Sequence, residues 1–238
     1  MADPAANPCI VISGASKGIG AAMAVELERR GFDIVGLSRS GDSAVGEGLV
    51  CDVTDENSVK TVLAKIAETR AIAGLINNAG LHLSGHSATF STADYEQVMA
   101  INTTAVMVMS REAYPYLKKT GGKIINMGSF FDKLGVPDNL AYCASKAAVA
   151  AMTRCLAVEW ASDGIQVVNV APGYIETDLN RDFLARDRVR QWITSRIPTG
   201  DVGRPEEVAR LVGALFTENL PFLTGETIYM DGGQGMNH

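Results

Sequence analysis

The sequence predicts an α/β fold: a single domain built as a doubly wound parallel sheet with helices on both faces. Two observations carry this reading. Short apolar runs rich in β-branched residues alternate with longer helix-patterned segments from end to end. The runs do not alternate apolar with polar residues, as expected of strands covered on both faces. Residues 9–13 form the first strand, followed by a Gly-rich turn and a helical stretch at 21–30. Residues 32–37 and 48–51 read as the next two strands, 56–68 as a helix and 72–77 as the fourth strand. The long stretch 95–118 is helical, in one or two pieces. Strands at 123–127 and 165–170 flank a helix at 142–162, and a helix at 206–215 precedes a last strand at 227–230. One segment breaks the rhythm. Residues 174–202 are Arg-rich, irregular and long for a connection, which after a strand's carboxyl end suggests a lid. Residues 1–8 read as a mobile leader and 9–238 as the one domain.

Bulk properties exclude several classes. Hydrophobic residues are 47% of the chain, enough for a sizeable core, yet no run approaches the ~20 apolar residues that span a bilayer. The formal net charge of −6 offers no basic stripe for nucleic acid. Cys9, Cys51, Cys143 and Cys155 are scattered, which fits a reduced cytoplasmic setting. The histidines, His82 and His86 among them, lack metal-ligand spacing, so no metal site is expected.

The turn Ser13-Gly14-Ala15-Ser16-Lys17-Gly18-Ile19-Gly20 joins the first strand to the first helix. Gly14 suits the tight turn, Gly18 a close backbone approach to a pyrophosphate, and Gly20 close helix–strand packing. The helix N-terminus then presents unpaired N–H groups to the phosphates. This is a Rossmann-type dinucleotide cradle. The second strand ends in Gly36-Leu37-Ser38-Arg39-Ser40, with no carboxylate for a ribose 2′-hydroxyl. Arg39 and Lys17 instead suit a 2′-phosphate, so NADP is expected in preference to NAD. Asp52-Val53 follows the third strand, where the carboxylate can meet an adenine amino group. Asn77-Asn78-Ala79-Gly80 ends the fourth strand, tying the sheet edge or lining the cofactor crevice.

The chemistry is expected at the carboxyl ends of the later strands. Ser129 closes the fifth strand, and Tyr142 follows 13 residues on. Tyr142 and Lys146 are spaced i, i+4, on one face of a helix. A phenol titrates near ~10, and bringing it to ~7 takes roughly 4 kcal/mol of differential interaction. A fixed ammonium alongside supplies an effect of that sign. Ser129 can hold a carbonyl oxygen while Tyr142 donates the proton. It lacks a nucleophile elbow and a serving histidine. Asn102 lies mid-helix, where a short polar residue calls for a helix irregularity or a bound water. Phe130, Phe131 and Leu134 read as an apolar wall beside Ser129, with His82 and Tyr174 as polar contacts.

These motifs, with Ala171-Pro172-Gly173-Tyr174-Ile175-Glu176-Thr177, occur in one order over nearly the whole chain. In them the sequence resembles the short-chain dehydrogenase/reductase family, with Ser13 where that family usually has Thr. The resemblance implies a tetrad of Asn102, Ser129, Tyr142 and Lys146. In it Tyr142 is the acid–base, Ser129 positions the carbonyl, and Lys146 bonds the nicotinamide ribose and lowers the Tyr142 pKa. Asn102 would support a water linking Lys146 to solvent. The resemblance further assigns Pro172, Gly173, Ile175 and Thr177 to the nicotinamide end and implies a homotetramer.

Within that family the chain looks most like 3-oxoacyl-[acyl-carrier-protein] reductases and related sugar or alcohol dehydrogenases. Asp163, in the turn Ser162-Asp163-Gly164, stands where carrier-protein reductases tend to be basic and would repel an acidic carrier, though Lys118, Lys119 and Lys123 could attract one. The leading expectation is an NADP-dependent carbonyl reductase or alcohol dehydrogenase acting on a small-molecule carbonyl or alcohol. The alternatives are a carrier-protein reductase, a non-catalytic dinucleotide sensor on the same scaffold, and an isomerase, dehydratase or epimerase that uses the cofactor transiently. A small neutral or anionic ketone is the expected substrate, with one of Arg181, Arg186, Arg188, Arg190 and Arg196 facing it.

Overall fold

The computed structural model describes residues 7–178 and 180–237. Seven parallel strands make one sheet: β1 (Cys9–Ser13), β2 (Asp33–Ser38), β3 (Glu47–Val50), β4 (Ile72–Asn77), β5 (Lys123–Met127), β6 (Gln166–Pro172) and β7 (Thr227–Met230). Their order is β3-β2-β1-β4-β5-β6-β7. The chain winds outward from β1 in one direction and from β4 in the other, so the switch point lies between them.

Each buried strand feeds two cores because successive side chains point to opposite faces. Cys9 and Val11 of β1 face α2 (Glu56–Thr69) and α4 (Ala105–Thr120), in one core with Val59, Leu63, Met109 and Leu117. Ile10 and Ile12 face α1 (Gly18–Arg29) and α8 (Pro205–Thr217), with Met23, Leu27, Val208 and Val212. The helix starts follow sequence rules. Asp55 accepts from Asn57 N at the head of α2, and α8 opens with Pro205 at its first position. The glycine after α4, Gly121, takes the left-handed conformation (φ 63°) that ends a helix.

Several boundaries differ from the sequence reading, and α1 begins at Gly18, three residues early. The stretch read as helical at 95–118 begins earlier, as α3 (Thr92–Met99) capped by Ser91, and passes into α4 through a π-helical segment, Ala100–Thr104. α5 (Leu140–Trp160) starts two residues earlier than expected and ends in a 3₁₀ turn. The lid carries two short helices, α6 (Arg181–Leu184) and α7 (Asp187–Thr194), around a small core of Leu184, Ile193, Ile197 and Val202. Of the leader, residues 1–6 lie outside the described residues, while the Pro8 carbonyl accepts from Asp33 N and so is tied to β2. Among the described residues, no helix is long and apolar enough to cross a membrane.

Candidate active site

The glycine turn is built as a cradle. Gly14 and Gly18 adopt positive φ (71° and 58°). A Cβ on Gly20 would stand 2.1 Å from the Gly14 carbonyl oxygen, so α1 packs against the turn at a distance only glycine permits. The first turn of α1 has no acidic residue, and its cap residue Lys17 makes no side-chain cap bond. Its leading N–H groups thus keep their anion-binding character.

At the switch point β4 is stitched to this turn. Ser13 Oγ accepts from Asn78 N (3.0 Å) and Ala79 N (3.1 Å) and donates to Ile76 O. Asn78 Nδ2 donates to the carbonyls of Ser13 and Gly14, both at 3.0 Å. Asn77 faces the other way. Its Nδ2 donates to Ser110 Oγ and Asn126 Oδ1, and Asn126 Nδ2 donates to Thr153 Oγ1, a buried polar chain under the site. Asn77 is therefore structural, and Asn78 ties the end of β4 to the glycine turn.

At the tip of β2, Ser38 Oγ donates to Asp42 O (2.8 Å) and Arg39 is exposed. Asp52 Oδ1 accepts from both the amide and the hydroxyl of Thr54 (2.9 and 2.7 Å). These bonds hold its carboxyl below the usual range, and the Arg39 charge adds to them, so the two side chains are electrostatic neighbours. Ser16, Lys17, Ile19, Val53 and Gly80 fall on the same turns. Glycine cradle, free helix N-terminus and cation beside the adenosine end fit a nicotinamide dinucleotide.

The four residues of the expected tetrad converge at the carboxyl end of the sheet. Ser129 lies two residues beyond β5, at the head of the turn Phe130–Asp132, and is buried. Tyr142 faces it from the first turn of α5, near enough for Ser129 to favour its phenolate. Lys146, one turn on and buried, has its Nζ 5.6 Å from the Tyr142 ring centroid and donates to Met127 O at 2.7 Å. Asn102 sits in the π-helical segment, where its side chain closes on the next loop. Its Oδ1 accepts from Leu81 N (2.7 Å), and its Nδ2 donates to Leu81 O (2.8 Å) and Ser145 Oγ (3.0 Å). Of the helix irregularity or bound water expected at Asn102, the irregularity is present, and the side chain is an anchor spent on protein partners.

The electrostatics depart from expectation. Any lowering of the Tyr142 pKa by Lys146 is outweighed here. Burial pushes that phenol up, partly offset by the neighbouring Ser129 hydroxyl. Burial also pushes Lys146 down to about 8. The cause is the same for both: each charged form loses its hydration, which the bond from the Lys146 ammonium to Met127 O only partly offsets.

Aromatic rings enclose the phenol. Phe131 meets Tyr142 edge-on (5.9 Å, 85°), and Tyr174 packs on Phe130 (5.4 Å) and Phe131 (6.3 Å). Half-buried Leu134 lies beyond the same turn. The base of the lid is fixed. Gly173 N donates to Met230 O, Asn180 Nδ2 donates to Ile175 O, and Thr177 N donates to Asn180 Oδ1. The Thr177 methyl lies 3.7 Å from where a Gly18 Cβ would be, so the lid root borders the glycine turn. Pro172 is the last residue of β6.

Two charge arguments from sequence change. Asp163 pairs with Lys118 (2.9 Å) and accepts from Tyr114 OH (2.6 Å), so its charge is compensated and it is a weak repellent. Most lid arginines with resolved partners are also spent internally. Arg190 bridges Glu176 and Asp201, Arg181 pairs with Asp178, and Arg196 stacks on Trp192 at 4.1 Å. A cleft of about 880 Å³ runs from Gly18 and Thr177 between α1, α8 and the lid, lined by the ion pairs of Arg190 and Arg181. None of the tetrad residues lines it. Sequence reasoning missed one clamp, Tyr229 OH to both oxygens of Asp132 (2.9 and 3.1 Å), which ties β7 to the turn after Ser129.

A family model described as enoyl-(acyl carrier protein) reductase matches residues 14–235. The chain is 35% identical over 237 residues to the 3-oxoacyl-[acyl-carrier-protein] reductase FabG of Escherichia coli (strain K12), covering 95% of this chain and 96% of that one. Its Haemophilus influenzae counterpart is 34% identical over 234 residues, covering 94% and 96%. Among solved structures, a gluconate 5-dehydrogenase from Burkholderia cenocepacia J2315 in complex with NADP and tartrate superposes with a TM-score of 0.91 at 28% identity, over 98% of this chain and 97% of that one. Thermoplasma acidophilum aldohexose dehydrogenase gives the same TM-score and identity over 98% and 96%. The chain belongs to the short-chain dehydrogenase/reductase family. It is an oxidoreductase of CH–OH or keto groups that works with a nicotinamide cofactor.

Proposed function

We propose that the protein is an NADP-dependent reductase of small ketones, running in reverse as a secondary-alcohol dehydrogenase, with Tyr142 as the acid–base. One observation carries this: a half-buried phenol beside Ser129 with buried Lys146 one turn on, at the sheet end that also holds the glycine cradle. The cofactor, when bound, supplies the hydride. Gly14, Ser16, Lys17, Gly18, Ile19 and Gly20 hold its phosphates, with Asn78, Ala79 and Gly80 lining the crevice. Ser38, Arg39, Asp52 and Val53 hold the adenosine end, and Pro172, Gly173, Ile175 and Thr177 the nicotinamide end. Ser129 orients the substrate carbonyl, and Tyr142 donates a proton to its oxygen as an alkoxide develops. The Lys146 charge stabilises the phenolate left behind. Asn102 fixes the Leu81 loop against α5.

The choice of NADP rests on Arg39 at a β2 tip that carries no carboxylate. The expected result is a wild-type kcat/KM favouring NADPH over NADH. In Arg39→Ala, NADPH affinity falls roughly 10- to 100-fold, as for one lost charge-assisted bond, with NADH nearly unchanged. Steady-state comparison of the two cofactors checks it, and a wild-type preference for NADH refutes it.

A second reading, a reductase of carrier-bound 3-oxoacyl groups, is favoured by the names of the curated relatives and by the compensated charge of Asp163. The apolar wall of Phe130, Phe131 and Tyr174 suits either substrate.

We place the protein in the cytoplasm as a homotetramer. β7 is an edge strand, and Phe222 beside it is fully exposed, with Leu220 exposed on the same turn. An uncovered strand edge with large apolar side chains calls for a partner surface, and paired dimers satisfy it by closed symmetry. Light scattering at micromolar concentration is expected to give the tetramer mass; a monomer mass contradicts it.

A further inference from the structure

We propose that His82, through Asn139, is a positioning residue that fixes the ring of Tyr142. The inference rests on the reading of Tyr142 as the proton donor. His82 lies in the loop after β4 and is exposed, so it is no part of a core. Its ring meets the Tyr142 ring edge-on, with centroids 4.8 Å apart and planes at 70°. That is a favourable aromatic geometry. Its Nε2 lies 2.5 Å from Asn139 Oδ1.

The neighbouring bonds settle the direction of that contact. Asn139 Nδ2 donates to Pro137 O at 2.7 Å, which turns Oδ1 toward the imidazole. An amide oxygen only accepts, so Nε2 carries the hydrogen. Asn139 is the residue at the head of α5, three before Tyr142. The same two loops are joined again by Gly85 N donating to Asp138 O at 2.8 Å, where Asp138 holds a left-handed backbone (φ 64°). The Leu81 end of the His82 loop is gripped by Asn102. His82 thus links an anchored loop to the start of the helix that carries Tyr142. With Phe131 also edge-on, it leaves the phenol little freedom to swing.

The test uses the full chain with NADPH and a ketone that the wild type reduces. Three variants are compared: His82→Ala, His82→Gln, whose amide nitrogen can replace Nε2 as a donor, and Asn139→Ala. Misplacing a catalytic group by about 1 Å can cost up to about 100-fold. His82→Ala is therefore expected to lose about tenfold in kcat, with the KM for NADPH and the melting temperature unchanged. His82→Gln should recover most of the loss. Asn139→Ala should match His82→Ala, and the double variant should lose no more than either, because the two act as one unit. A His82→Ala kcat within about twofold of wild type, glutamine no better than alanine, or losses that multiply in the double variant overturns the inference. Should His82→Ala fail to fold, the Asn139→Ala and His82→Gln arms decide by the same criteria. Absence of turnover in the wild type refutes the reading of Tyr142 itself, a different result from any of these.

Discussion

Tyr142→Phe is expected to lower kcat by about 10²- to 10⁴-fold while NADPH binds almost as tightly as to the wild type. The substitution removes one hydroxyl and keeps the ring, so the edge-on contacts with Phe131 and His82 survive. What is lost is the proton donor beside Ser129. Fluorescence titration with NADPH, alongside steady-state rates, separates the two effects. A variant that retains more than about a tenth of the wild-type kcat contradicts the assignment.

Lys146 carries the second large effect, and its sign follows from its surroundings. Burial holds its pKa down to about 8, so the ammonium is charged below that value and neutral above it. The charge supports the phenolate that Tyr142 leaves after donating its proton. Reductive kcat/KM for NADPH, which reports the free enzyme, is therefore expected to fall as pH rises through about 8. Alcohol oxidation is expected to run the other way, since Tyr142 must first lose a proton that burial makes it hold. Lys146→Ala should depress both kcat and NADPH affinity and abolish the fall in the reductive profile near pH 8. A wild-type profile flat across that range, or a variant that keeps the fall, contradicts the assignment of that limb to Lys146.

The parts of this molecule legible in the sequence are those set by local pattern. The glycines of the Gly14–Gly20 turn, the i, i+4 pair on α5 and the β-branched runs each have a short-range physical reason. Six of the seven strands lie within a residue of their expected bounds, and β6 runs two residues further. Asn102 was legible as an anomaly, since its residue type disagrees with a regular helix, and the π-helical segment is what resolves it.

What was not legible depends on distant residues meeting. Asp132 and Tyr229 lie 97 apart in sequence, and nothing in either neighbourhood announces their bond. Asp163 looked like a free repellent charge until α4 brought Lys118 and Tyr114 against it. The same holds for Lys146. The i, i+4 spacing places it beside Tyr142, but the spacing does not say that the ammonium turns to Met127 O or that burial opposes its charge.

The central claim, reduction of a ketone with Tyr142 as proton donor, is tested most directly by one assay. Oxidation of NADPH is followed at neutral pH with a panel of small ketones and a carrier-linked 3-oxoacyl substrate. The account predicts turnover with at least one small free ketone, at higher kcat/KM than with the carrier-linked form. Stronger turnover of the carrier-linked form would restore the acyl-reductase reading of the same site. Tight NADPH binding with no turnover of any member would contradict the claim and leave a dinucleotide sensor.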